Sequence, residues 1–255
     1  MDGMSAMEEE SGELKYHLRG KPQVWQTLAG RGEKKYSFQE ARKGGEIRMN
    51  DPEVTDRALS ILRSGENFHW SFITLFVLVI YVYYNEIEKK NWNVIAAGLT
   101  LYAIHWFVEI ANALIQHFSG HALWTVPTGT SFLILVGLSI EINMMFAIAA
   151  LTFAKILPRD PKAKILGVNN RLLIGTGCAA FAAILEIFFV RTPAFAWVYS
   201  WWGAFPVFLT VYVPFFVVAF RVHDWERRRQ KIFIGSLSAL DAVMMFVFAG
   251  VLEWI

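Results

Sequence analysis

The chain has 255 residues, 55% hydrophobic and 18% charged, with 24 basic against 22 acidic side chains. Residues 1–67 carry 23 of those charges, so the remaining 188 residues share the other 23 in long apolar runs, which excludes a pair of soluble domains. A net charge of +2 with no basic–aromatic face speaks against nucleic acid as a partner, and the single Cys178 excludes a disulfide framework.

The N-terminus is acidic (Asp2, Glu8, Glu9, Glu10, Glu13) and no apolar run precedes residue 68, so no cleavable signal is expected. Residues 1–67 read as a polar tail. Near its end, 51–64 has the marks of a short helix. Asp51 suits an N-cap, Pro52 the first helical position, and Gly65 a stop. Val54, Ala58, Ile61 and Leu62 share one face, which predicts an amphipathic helix on the membrane surface or against neighbouring spans.

Residues 68–255 then divide into six apolar segments, 68–85, 94–117, 129–157, 172–190, 195–220 and 231–254, each near the ~20 residues a bilayer requires. The runs are continuous instead of alternating, which argues against a β-barrel. Trp92, Trp124, Trp197 and Trp254 sit near segment ends as an aromatic belt would. Pro206 and Pro214 should bend or break the fifth segment. The fold expected is all-α: a polytopic membrane protein of six transmembrane helices with a polar N-terminal tail and a short amphipathic surface helix. Lys and Arg concentrate in the first, third and fifth connections, and the positive-inside rule therefore places loops 158–171 and 221–230 in the cytoplasm.

Ionisable residues inside such segments are costly, about 2.5–3.5 kcal/mol for a central Asp, and so mark function. Here they are His105 and Glu109, Glu141, Glu186 and Asp241. His105, Glu109, Asn112 and Gln116 form one stripe on the second segment. At about 1.5 Å per residue, His105 and Glu109 lie roughly 18 and 12 Å from the tail-side end, at depths that Glu141 and Asp241 can share. Glu186 is shallower and close to Arg191, which leaves it the weakest member. No Lys or Arg lies at these depths, so the acids cannot all stay ionised. Either some are protonated and act as general acids, or a metal supplies the missing positive charge. His105, Glu109, Glu141 and Asp241 are the expected catalytic set, pointing into one cavity. Asn112, Trp201, Trp202 and Tyr212 are the expected substrate contacts. His69, His117 and His121, all at the tail-side interface, are the candidate ligands of a metal or haem; the bland alternative is that they sit among lipid headgroups.

The His-x-x-x-Glu of His105 and Glu109, with Glu141 on the next segment and tryptophans on a later one, resembles the emopamil-binding family of sterol isomerases. That resemblance implies buried acids that shuttle a proton on a lipid-phase substrate.

Three functions follow in order. The first is a membrane enzyme acting by acid–base chemistry on an isoprenoid, sterol-like or acyl substrate, of the isomerase or cyclase type. The second is a metal- or haem-containing oxidoreductase subunit using the tail-side histidines. The third is a non-catalytic subunit of a larger membrane complex. The sequence leaves the cofactor open; the partners expected are membrane lipids, a hydrophobic small molecule, and a membrane-protein partner or second copy.

Overall fold

The computed structural model describes residues 53–66 and 68–255. The expected tail and the proposed caps Asp51 and Pro52 therefore lie outside the described residues. Among the described residues seven helices follow one another: α1 (Glu53–Ser60), α2 (Ser71–Glu88), α3 (Trp92–Ser119), α4 (Ile140–Ala154), α5 (Asn170–Val190), α6 (Ala204–His223) and α7 (Arg227–Val251). Of these, α3, α5, α6 and α7 are long and apolar enough to cross a membrane; α4 is apolar but shorter.

The predicted third segment needs correction. Residues 129–139 are not helical. Leu133–Leu135 (β2) and Leu138–Ser139 (β3) form an antiparallel hairpin, and helix begins only at Ile140. A continuous apolar run reads the same as a buried strand or a buried helix. Here Ser139 decides the start, because its Oγ accepts the Ile142 N–H at 3.2 Å as an N-cap. The fifth segment also starts late: Ala196–Trp197 is a strand (β6) paired with Trp124–Thr125 (β1), and α6 opens at Ala204. Between Pro206 and Pro214 the helix widens into a π turn, Phe208–Tyr212, consistent with two residues that lack a backbone N–H. A second hairpin, Lys164–Ile165 (β4) with Val168–Asn169 (β5), turns through Leu166 and Gly167, both at positive φ, as a two-residue type I′ turn requires.

Contacts at the two ends fix the helix directions. At one end Lys155 Nζ meets Glu86 Oε1 at 2.7 Å, joining the ends of α4 and α2. There too Arg171 at the start of α5 grips Asp224 after α6, and Gln230 of α7 donates to Asn93 of α3 at 3.3 Å. At the opposite end Trp124 and Trp197 are register partners, so α3 and α5 finish side by side. His117 near the end of α3 stacks on Trp254, 4.7 Å between ring centres, beyond the end of α7. Helices α2 to α7 therefore alternate in direction.

Helix α3 is the centre, packed on α4, α6 and α7. One core cluster joins Leu101, Cys178, Phe215, Phe216 and Phe220. A second, at the β1–β6 end, joins Ile110 with the hairpin leucines Leu133, Leu135 and Leu138. The amphipathic α1 packs there through Ala58, and Leu62 bridges to Leu133. Its apolar face covers the hairpin, the second of the two placements its sequence allowed.

Candidate functional site

On α3, His105 and Glu109 stand one turn apart, 2% and 4% exposed, with His105 Nε2 3.4 Å from Glu109 Oε1. The imidazole is held by rings: Phe146 of α4 stacks on it at 3.8 Å and Phe215 of α6 meets it edge-on. Neither ring nitrogen has a hydrogen-bond partner among the described residues. The Glu109 carboxyl receives the Trp124 indole N–H, 3.2 Å from each oxygen. One donor shared between two oxygens leaves this carboxyl with lone pairs to spare.

The two other acids are held more completely. Glu186, 6% exposed on α5, receives the Trp197 indole N–H on Oε1 and the Tyr212 hydroxyl on Oε2, both at 2.5 Å. Glu141, in the first turn of α4, receives the Thr130 hydroxyl at 2.7 Å on Oε2 and the Ser131 N–H at 2.8 Å on Oε1. Every oxygen of these two carboxyls is committed to a donor.

All four groups line one cavity of about 290 Å³. Its back is α3 and α6, with Val108, Phe215 and Phe216. Its sides are α4 (Met145, Phe146, Ala149, Phe153) and α5 (Phe181, Ala182, Leu185, Phe189). Its end nearest the β1–β6 pair holds Trp124, Gly129, Thr130 and Phe195. The acids gather toward that end, while Phe153, Phe181 and Phe216 make the far end wholly apolar. No Lys or Arg is among the lining residues.

Several residues singled out from the sequence stand elsewhere. Asn112 accepts the Leu123 N–H at 2.8 Å and donates to the Trp124 carbonyl at 2.9 Å, so its amide holds the backbone that carries Trp124. Trp202 stacks on Trp124, ring centres 5.9 Å apart, without lining the cavity. Trp201 is exposed. Tyr212 does line the cavity, beside Glu186. Asp241 is buried on α7 away from the cavity, and its Oδ1 has no partner among the described residues. His69 and His117 are exposed. Among the described residues no three His, Cys, Asp or Glu side chains gather as metal ligands.

Two participants are not expected from the sequence, and a third, Glu186, is expected to be the weakest member, yet it turns inward to Tyr212. Trp124 and Trp197 read as belt residues but are the donors to Glu109 and Glu186. The available signal was position: each tryptophan follows its acid by a short stretch, 15 and 11 residues.

Residues 52–250 match a family described as "Uncharacterized membrane protein family". An uncharacterized protein of Archaeoglobus fulgidus is 43% identical over 208 residues, covering 80% of this chain and 99% of that protein. A shorter protein of the same organism is 42% identical over 50 residues, 19% of this chain and 89% of its own length. No solved structure matches. With most of its length matched and a close relative spanning the same region, the chain belongs to this membrane protein family.

Proposed function

We propose that the chain is an integral membrane enzyme that moves a proton on and off a hydrophobic substrate held between α4 and α5, with Glu109 and His105 as the acid–base pair. The observation that carries this reading is the buried imidazole whose nitrogens make no hydrogen bond, with Nε2 3.4 Å from Glu109 Oε1, facing a cavity beside a carboxyl that has lone pairs to spare. A buried polar group without a partner costs stability, on the order of 1–3 kcal/mol, and is kept where a ligand or a transferred proton completes it. Glu141 and Glu186, each with both oxygens hydrogen-bonded, present fixed acceptors at the polar end of the cavity. The aromatic rings of Phe146, Phe215 and Trp124 stabilise a cationic intermediate. Of the residues behind the resemblance to the emopamil-binding family, His105, Glu109 and Glu141 line this cavity, whereas Trp201 and Trp202 do not.

The reaction type is isomerisation. A carboxylic proton adds to one carbon of a double bond in an isoprenoid, sterol-like or acyl lipid, leaving a carbocation on the other. The pair then removes a proton from a neighbouring carbon, and a shifted double bond forms. The protein ends with the proton it started with, and no oxidant or reductant is consumed.

Six crossings fit this arrangement. Because α3 and α5 finish side by side, α4 has to return between them. Its 15 residues span about 22 Å, and the buried hairpin at 133–139 supplies the rest of a ~30 Å hydrocarbon depth. Irregular backbone at that depth is tolerated where protein covers it. Loop charge puts the 158–171 and 221–230 connections in the cytoplasm.

The test is isotope exchange. Membranes containing the chain, incubated in heavy water, should incorporate deuterium at carbon in their neutral lipids. Glu109→Gln should lower the rate by about 100-fold or more while the protein remains folded and inserted. No incorporation above membranes lacking the chain would overturn the enzymatic reading.

A further inference from the structure

The cavity has a back and two sides but an incomplete front. His105, Glu109, Phe215 and Phe216 on its back wall are buried, whereas Phe181, Leu185 and Phe189 on α5 line it while 50%, 42% and 44% exposed, and Met145 on α4 is likewise exposed. The cause lies in the packing. Helix α4 rests mainly on α2 and α3, with a smaller contact on α6, whereas α5 rests mainly on α6. They touch at the apolar end, where Phe153 and Phe181 meet edge to face at 5.9 Å. Nearer the acids the small Ala149 and Ala182 stand on the two walls.

We infer that this slot between α4 and α5 is a lateral mouth, through which an uncharged, chain-bearing lipid such as an isoprenoid alcohol or polyene enters from the bilayer and sets its polar or unsaturated end against Glu109 and His105. The inference rests on the proposed site and adds to it the route of entry and the charge of the ligand. Exposed phenylalanine and leucine at the rim present to lipid tails a surface as apolar as the tails themselves. A volume of about 290 Å³ is at the small end for organic ligands, so a long chain keeps its remainder outside the mouth. The charge follows from the lining: with no Lys or Arg among the lining residues, an anionic head brought into this low-dielectric site has no fixed cation to pair with. Phosphorylated lipids and fatty-acid anions are thereby excluded.

The test uses the full chain in phosphatidylcholine vesicles, in a Cys178→Ser background, with Ala182→Cys on one wall and Ala149→Cys on the other as independent reporters. Pyrenylmaleimide dissolved in the bilayer should label both cysteines, and a sulfonated maleimide from either aqueous side should be slower by about tenfold, the factor that ~1.4 kcal/mol of exclusion produces. Farnesol should slow labelling by about the same factor, and equal concentrations of farnesyl phosphate or oleate should leave it unchanged. Equal labelling by both maleimides would overturn the lateral mouth. Protection by farnesyl phosphate or oleate that matches farnesol, or absence of protection by farnesol, would overturn the ligand class. These readouts need no turnover: a chain that farnesol protects but that exchanges no deuterium keeps the mouth and loses the enzyme.

Discussion

At Gly137 the packing leaves room for a hydrogen and no more. A Cβ there would stand 2.5 Å from Trp124 Nε1 and 2.6 Å from Asn112 Nδ2, so the hairpin presses against the two side chains that position the indole on Glu109. Gly137→Ala should destabilise the protein by about 1–3 kcal/mol through overpacking and move Trp124 off the carboxyl. Thermal melting in detergent with tryptophan fluorescence would register both effects. Gly177→Ala on α5, where nothing lies within 4 Å, serves as the contrast. It should raise stability by up to about 1 kcal/mol, because alanine is the better helix former. At this scale the sequence revealed why His105, Glu109 and Glu141 belong together: acids without cations must share an interior. It could not reveal their donors. An indole near a segment end looks the same whether it faces headgroups or reaches inward, and the choice is made by β1–β6 pairing, which no local periodicity encodes.

The connections between elements carry ionic order of their own. Arg171, 1% exposed at the first turn of α5, makes a two-pronged contact with Asp224: Nε to Oδ2 at 2.8 Å and Nη2 to Oδ1 at 2.9 Å. Its Nη1 also donates to the Pro158 carbonyl at 2.9 Å, so one guanidinium ties the connection before α5 to the end of α6. Burial alone would push the Asp224 carboxyl up, but the guanidinium and the adjoining His223 imidazole outweigh it and hold the group below the usual carboxylate range. A carboxyl whose pKa is depressed on folding contributes stability that is present above its unfolded value, about 3.9, and is lost as pH falls through the folded value. Acid unfolding below about pH 4 should therefore have a component that disappears in Asp224→Asn. That variant should cost on the order of 3 kcal/mol at neutral pH, because Arg171 stays buried without its counter-charge. Denaturation in mild detergent across pH 2.5–7 would show both effects. At this scale the segment list was legible because hydropathy is summed over many residues. The hairpin at 133–139 was not, since burial on all sides erases the period that separates strand from helix.

For the whole molecule, alternation of helix direction places Ser119 and the Lys162 turn at opposite ends, and the proposed orientation puts the second in the cytoplasm. Single cysteines at those positions in a Cys178→Ser background should react with impermeant thiol reagent from opposite faces. Labelling of position 162 from outside intact cells would reverse the orientation. The apolar segments could be read from the chain because most end where charge or proline gathers, and of the helices they form α3, α5, α6 and α7 are long and apolar enough to cross a membrane. How the segments surround a cavity could not, since side-by-side packing of α3 with α6 depends on residues about a hundred positions apart.

The pairing of Trp124 with Trp197 has one more consequence. Two indoles that are neighbours across two residues of sheet hold Glu109 and Glu186, on different helices, in a jaw whose hinge is backbone hydrogen bonding instead of side-chain packing. No strand pairing joins α4 to α5 among the described residues, so on the inferred route of entry it is this side, and not the spacing of the two acids, that gives way to a bulky chain. One end of the cavity works as a vice and the other as a valve.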